Sequence, residues 1–187
     1  DSLVGKGVSY CSTCDAPLYK DKIAVVVGGG NAAVEGAVLL SKYATKVHLI
    51  YRGSSLFRPE KVLLTQLEKC ENIELHLNSE IKEIKSGNDG VEGVLINKED
   101  EFLDISSNGL FIEIGADPRL EIPNQLGIEI DEETNEVAVT KLMETNIEGI
   151  FAAGDLTNAS GPLKQTVTAA GQGAIAALSA YNFLNSE

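Results

Sequence analysis

The sequence predicts an α/β fold: a parallel βαβ unit, a small antiparallel β layer and a closing strand and helix. Three observations predict it. A short apolar run, Lys22 to Gly30, ends in three glycines. A helical pattern and a second apolar run follow within one supersecondary length. Further along, apolar and polar residues alternate around a turn signal, Ser86-Gly87-Asn88-Asp89-Gly90.

Taken in order, Lys22–Gly30 is Val-rich and continuous, as in strands buried on both faces. In Asn31–Ala44, the positions Val34, Ala37, Val38 and Ser41 fall at helical spacing, and Asn31 is placed to cap the helix start. Thr45–Tyr51 is the second strand. Pro59 opens another helix, where its missing N–H costs nothing, and residues 72–78 form a third strand. The alternating stretch from Glu80 is a hairpin or meander with its turn at Asn88-Asp89-Gly90. Gly109–Pro118 is a buried strand breaking at Gly-Ala-Asp-Pro. An acidic, turn-rich connection leads to an apolar strand ending at Gly154-Asp155, then to a long Ala-spaced helix. The expected division is 1–135 and 136–187.

Composition narrows the function classes. The chain has 187 residues, 43% of them hydrophobic, enough for a real core. A net charge of −13 argues against nucleic acid or an anionic membrane as partner. No apolar run reaches the roughly 18 residues of a membrane span. "DSLVGKG" has no charged-then-apolar order of a signal peptide, and without an initiator Met the chain is expected to be a processed or excised piece. Three cysteines do not make a disulfide-stapled secreted scaffold, so a reducing, cytoplasmic setting is expected.

Four motifs carry chemistry. Gly28-Gly29-Gly30-Asn31-Ala32-Ala33 fits G-x-G-x-x-A between a strand and a helix, the dinucleotide pattern: tight turn, close pyrophosphate approach, small packing residue. After the second strand come Arg52, Arg58 and Lys61, and no acid lies between Thr45 and Pro59. That favours a 2′-phosphate over a free ribose 2′-hydroxyl, hence NADP over NAD; otherwise these are solvated surface charges. Cys11-Ser12-Thr13-Cys14, followed by Asp15, admits dithiol redox work, half a zinc site or a structural pair. Its place beside a βαβ pattern points to redox. Zinc would need Cys70, His48 or His76, none paired at ligand spacing, so no metal is expected; the histidines read as structural and Cys70 as inert. Finally, Gly149–Asp155 delivers a carboxylate beside Gly154 in front of a helix, where it could accept from ribose or polyol hydroxyls.

With these in order, the chain resembles the low-molecular-weight thioredoxin reductases. "CSTCD" is similar to that family's redox centre, "GGGNAAVEGA" to its NADPH glycine motif, "YRGSSLFRPEK" to its 2′-phosphate loop, and "GIFAAGD…KQTVTAAGQGAIAA" to its flavin signature. The resemblance implies a Rossmann-like pyridine-nucleotide domain followed by the C-terminal part of an FAD domain, whose N-terminal part is absent. It implies FAD and NADPH as cofactors. Electrons would pass from NADPH through FAD to a Cys11–Cys14 disulfide and on to thioredoxin or a thioredoxin-like protein. By position, Cys14 faces the flavin, Cys11 attacks the partner disulfide and Asp15 donates the proton. Gly28, Gly30, Asn31 and Ala33 hold the pyrophosphate, and Arg52 and Arg58 the 2′-phosphate. Gly154 and Asp155 bind the flavin's ribityl or phosphate region, with Gln165 and Thr166 near the isoalloxazine. A homodimer is implied for the full-length protein, and inactivity for this piece alone.

The chain departs from the family's His-Arg-Arg pattern at Tyr51-Arg52-Gly53, and amides stand in for the acids the family often has near Asn31 and near Gln172. Relatives with altered donor loops take electrons from ferredoxin. The remaining alternatives are the flavin reductase component of a peroxiredoxin system and a non-catalytic nucleotide-binding relative.

Overall fold

In a computed structural model, which describes residues 2–57, 59–115, 118–161 and 163–185, the chain forms two compact units, residues 1–115 and 116–187.

The first unit contains strand β1 (Val8–Ser9), the short helix α1 (Ser12–Asp15), β2 (Ile23–Val27), α2 (Asn31–Ser41), β3 (Lys46–Ile50), α3 (Lys61–Leu67) and β4 (Ile73–His76). It continues with β5 (Ser79–Gly87), β6 (Gly90–Lys98), β7 (Glu101–Ser106) and β8 (Gly109–Ile112). β1, β8, β2, β3 and β4 pair in that order, all parallel, into a five-stranded sheet. β5, β6 and β7 form a separate antiparallel sheet, with Gly87 opposite Gly90 across the expected turn.

Strand alternation sorts the core into two layers. Ala24, Val26, Leu49 and Phe111 turn toward α2, where Ala33, Val34, Ala37 and Leu40 meet them. Val25, Ile50 and Leu110 turn the other way, onto Val91, Val94 and Ile96 of the antiparallel sheet. Phe111, Leu49, Leu40 and Ile50 are fully buried, and each contributes about 1.5–3 kcal/mol of apolar transfer.

On this second face, at the outer edge of the parallel sheet, His48 Nδ1 lies 3.0 Å from His76 Nε2. Burial holds both imidazoles below the ordinary histidine range.

The second unit contains α4 (Glu121–Leu126), the antiparallel pair β9 (Ile130–Asp131) and β10 (Glu136–Val137), and α5 (Thr166–Asn185). Gly127 ends α4 in the left-handed conformation, φ 72°. Lys164 Nζ pairs with Glu136 at 2.6 Å and also donates to the Asp155 carbonyl at 2.7 Å.

Three local expectations change. The units divide after residue 115, earlier than the expected division after 135, because the acidic connection pairs within itself and onward: Val137 bridges Thr157. The apolar stretch before Gly154 forms a single bridge, Phe151 to Glu144, rather than a longer ladder. Asn31 is the first residue of α2 and not its cap; Gly30 holds the cap position. The Asn31 side chain instead accepts the Glu60 backbone N–H at 2.9 Å, tying α2 to the start of α3. Among the described residues no helix is long and apolar enough to cross a membrane.

Candidate nucleotide and dithiol site

The carboxyl ends of β2, β3 and β8 surround a cavity of about 710 Å³, lined by Gly28, Gly30, Tyr51, Arg52, Glu80 and Glu113 among others. In the sheet, β3 lies on one side of β2 and β8 on the other, so the chain's winding reverses at β2. Open α/β sheets bind ligands at such a switch point.

Sterics explain the glycines. A Cβ at Gly28, whose φ is +144°, would lie 2.2 Å from the Glu113 carbonyl oxygen. A Cβ at Gly29 would lie 2.4 Å from the Tyr51 ring, and one at Gly53 would lie 2.6 Å from the same ring. Tyr51 thus fills the space between the glycine turn and the arginine loop. At Gly30 a Cβ would meet nothing within 4 Å, so this point of the turn fronts open space. The first-turn N–H groups of α2 begin here, the arrangement that suits a pyrophosphate.

Arg52 is exposed at the cavity wall. Arg58 lies outside the described residues. Sequence reading missed Glu80, which joins the same wall from β5 and ion-pairs with Lys82 at 2.9 Å. That bond to Lys82, with lesser help from the nearby Arg52 charge, holds the Glu80 carboxyl below its usual range.

Cys11 and Cys14 are joined in a disulfide across α1, their Cα atoms 5.3 Å apart. Ser9 organises the entry to this turn: its hydroxyl donates to Asp15 Oδ2 at 2.7 Å and accepts the Cys11 N–H at 3.1 Å. Ser12 anchors the turn itself. Its N–H and hydroxyl donate to Glu113 Oε1 at 3.1 and 2.6 Å. Gly36 of α2 makes room, since a Cβ there would lie 2.5 Å from Ser12 Oγ. Glu113 therefore serves twice, its side chain on the disulfide turn and its carbonyl over Gly28. Its one signal in the sequence is a carboxylate in an otherwise apolar run, Gly-Leu-Phe-Ile-Glu-Ile.

The remaining sequence-selected residues lie in the second unit. The Gly154 N–H donates to Gln172 Oε1 at 2.6 Å, and the Thr157 hydroxyl donates to the same oxygen at 3.3 Å. Gln172 Nε2 donates in turn to Ser160 Oγ. Asp155 is exposed. Gln165 leads into α5, its N–H donating to Thr168 Oγ1 at 3.1 Å, and Thr166 is the first helical residue.

A family model described as pyridine nucleotide-disulphide oxidoreductase matches residues 1–173. The chain belongs to this family. Within it, the chain is 43% identical to the thioredoxin reductase of Coxiella burnetii over 194 residues, covering 99% of the chain and 59% of that protein. It is 40% identical to the thioredoxin reductase of Bacillus subtilis over 190 residues, covering 97% of the chain and 57% of that protein. The crystal structure of the thioredoxin reductase from Streptococcus pyogenes superposes with a TM-score of 0.85 at 35% identity, covering 97% of the chain and 58% of that one. The chain thus spans somewhat under three fifths of the length of the relatives it matches.

Proposed function

We propose that the chain supplies the nucleotide-binding and dithiol parts, and a C-terminal part of the flavin-binding lobe, of a thioredoxin-disulfide reductase. The observation that carries this is the linkage through Glu113: a Cys-x-x-Cys disulfide is anchored to the wall of a cavity built on a G-x-G-x-x-A turn.

The residues present fit NADPH. Gly28 makes the tight turn beneath the Glu113 carbonyl, Gly30 fronts open space and admits the pyrophosphate, Asn31 and Ala33 begin the helix that receives it, and Arg52 takes the 2′-phosphate, joined by Arg58 on the strength of the sequence resemblance. They fit FAD in part: Asp155, Gln165 and Thr166 offer polar groups, but the Gly154 N–H is already committed to Gln172. FAD, held in part by Asp155, Gln165 and Thr166, would supply two-electron transfer between NADPH and the disulfide.

The chain's own residues do the rest. Reduction breaks the Cys11–Cys14 bond and adds two electrons and two protons, with Asp15 positioned by Ser9 to move a proton at the Cys14 thiolate. The Cys11 thiolate then attacks one sulfur of the partner's disulfide, releasing the other as a thiol. Cys14 attacks Cys11 in the mixed disulfide, and the partner leaves as a dithiol. The partner is thioredoxin or a thioredoxin-like protein, and the working enzyme is a cytoplasmic homodimer that needs no nucleic acid or membrane. The second unit supplies the C-terminal part of the flavin lobe, so this chain alone does not turn over.

The test is Cys11→Ser and Cys14→Ser in the enzyme that carries this chain. Each should abolish NADPH-driven disulfide reduction, and undiminished turnover in either defeats the reading. A second reading, NADH as donor, is favoured by Glu80 beside Arg52, since a carboxylate there suits a ribose 2′-hydroxyl. If Arg52 grips the 2′-phosphate, NADPH is preferred by at least about tenfold, and Arg52→Ala removes the preference. Equal rates with NADH remove Arg52 from the donor site, and a preference for NADH assigns that site to Glu80.

A further inference from the structure

His48 lies on β3, and Glu74 and His76 lie on β4. The parallel register sets Glu74 directly beside His48 and puts His76 opposite Ile50, one step along the same face. Three metal-ligating side chains thereby meet at the edge of the sheet, outside the nucleotide and dithiol site. His48 Nδ1 is 3.0 Å from His76 Nε2. Glu74 spans the pair, Oε2 at 3.8 Å from His48 Nδ1 and Oε1 at 3.5 Å from His76 Nε2.

These separations can be set against a metal's demands. Zinc holds imidazole nitrogen and carboxylate oxygen at about 2.0–2.2 Å, so neighbouring ligands of a tetrahedral ion stand about 3.3–3.5 Å apart. The shortest donor–donor distances, 3.0, 3.5 and 3.8 Å, bracket that edge length, the last two through different oxygens of Glu74. With one donor atom from each residue the three lie within 4.8 Å of one another, so closing onto an ion needs the exposed Glu74 carboxylate to swing by about an ångström and the two rings to part slightly. The rings' backbones are already fixed by strand pairing. Two neutral imidazoles with their ring nitrogens face to face otherwise make one hydrogen bond at most, with one proton between them. On metal binding, that proton moves to the donor ring's other nitrogen, so both facing nitrogens offer lone pairs. His76 is buried and Glu74 is about half exposed, so the fourth position of such an ion opens to solvent.

We propose that His48, Glu74 and His76 form a three-ligand site for a divalent transition metal, zinc foremost, with its fourth position open. Imidazole nitrogens favour the borderline metals over magnesium or calcium. The site has a built-in competitor: Lys46 Nζ holds Glu74 Oε2 at 2.8 Å and must release it. Lys98 adds positive charge near His76. The site also touches the cavity wall through the backbone, because the Tyr51 N–H donates to the His76 carbonyl at 2.9 Å.

The test is titration of the chain with zinc, followed by a chromogenic chelator, and with cobalt, followed by its visible spectrum. The disulfide is kept oxidised and Cys70→Ser removes the remaining thiol. Saturable one-to-one binding is expected below about 0.1 mM. His48→Gln and His76→Gln should each weaken it by about tenfold or more. Lys46→Gln should tighten it by about two- to fivefold by removing the competing cation, a gain that no purely structural role of the cluster yields. Should a buried-histidine variant fail to fold, Glu74→Gln, on an exposed side chain, must still weaken binding. Absence of saturable binding in that range, or binding unchanged in the folded histidine and Glu74 variants, overturns the proposal.

Discussion

Gly28 and Gly154 each stand ahead of a helix and belong to a glycine motif, yet their surroundings hold them by different means. Ahead of α2, the turn is closed by volume: six residues of that helix are buried, and the Glu113 carbonyl leaves no space for a Cβ at Gly28. Ahead of α5, the turn is closed by polarity. Gln172 is the single buried residue of that helix, and its amide gathers the Gly154 N–H, the Thr157 hydroxyl and Ser160. Local sequence grammar alone does not fix how a turn is stabilised; the layers packed against it do.

That contrast is open to direct attack. Phe111→Ala, in the layer under α2, should cost about 3–5 kcal/mol in denaturant unfolding. Leu178→Ala on α5, where the side chain is 61% exposed, should stay within about 0.5 kcal/mol. Equal costs would show that α5 is packed as α2 is. At the turns themselves, Gly28→Ala should cost about 2–4 kcal/mol, because left-handed strain adds to a clash with backbone that cannot yield. Gly154→Ala meets only the Ala169 Cβ, at 3.6 Å, and should lose about 1 kcal/mol by melting. The polar tether is probed by Gln172→Ala, which leaves the buried Gly154 N–H unanswered and should cost about 1–3 kcal/mol.

The smallest effect sits in the second unit at Asp131. Its carboxylate accepts from Asn158 Nδ2 at 3.0 Å and from the Thr134 and Glu133 N–H groups, each at 3.0 Å. These bonds, that from Asn158 first, hold its carboxyl below the ordinary range. A depressed folded-state value contributes stability above the unfolded value of about 3.9. That contribution is lost as pH falls through the folded value. A carboxyl NMR titration should place the midpoint below the ordinary one, and Asn158→Ala should raise it.

The sequence was most legible where structure is local. The β2–α2–β3 unit could be read from two Val-rich runs, one helical period and the glycine turn, because each signal lies within a few residues of what it specifies. Glu80 and Glu113 were invisible as cavity residues because they arrive from β5 and β8, through sheet order rather than spacing. His48 and His76 read as unrelated structural residues for the same reason, their meeting being set by the register of β3 on β4. Asn31 failed as a cap because Glu60, from a distant turn, competes for its side chain. The bridge at Phe151 fell short of a strand although the apolar run was present, since a run specifies burial and only a partner specifies a ladder.

Tyr51 leans one edge of its ring on Gly29 and the other on Gly53. A lineage gaining even a methyl group at either glycine must surrender the aromatic ring in the same step or lose the spacing between the two loops. The ring thus sets the distance between the glycine turn and the loop carrying Arg52, and a side chain at either glycine shifts both together.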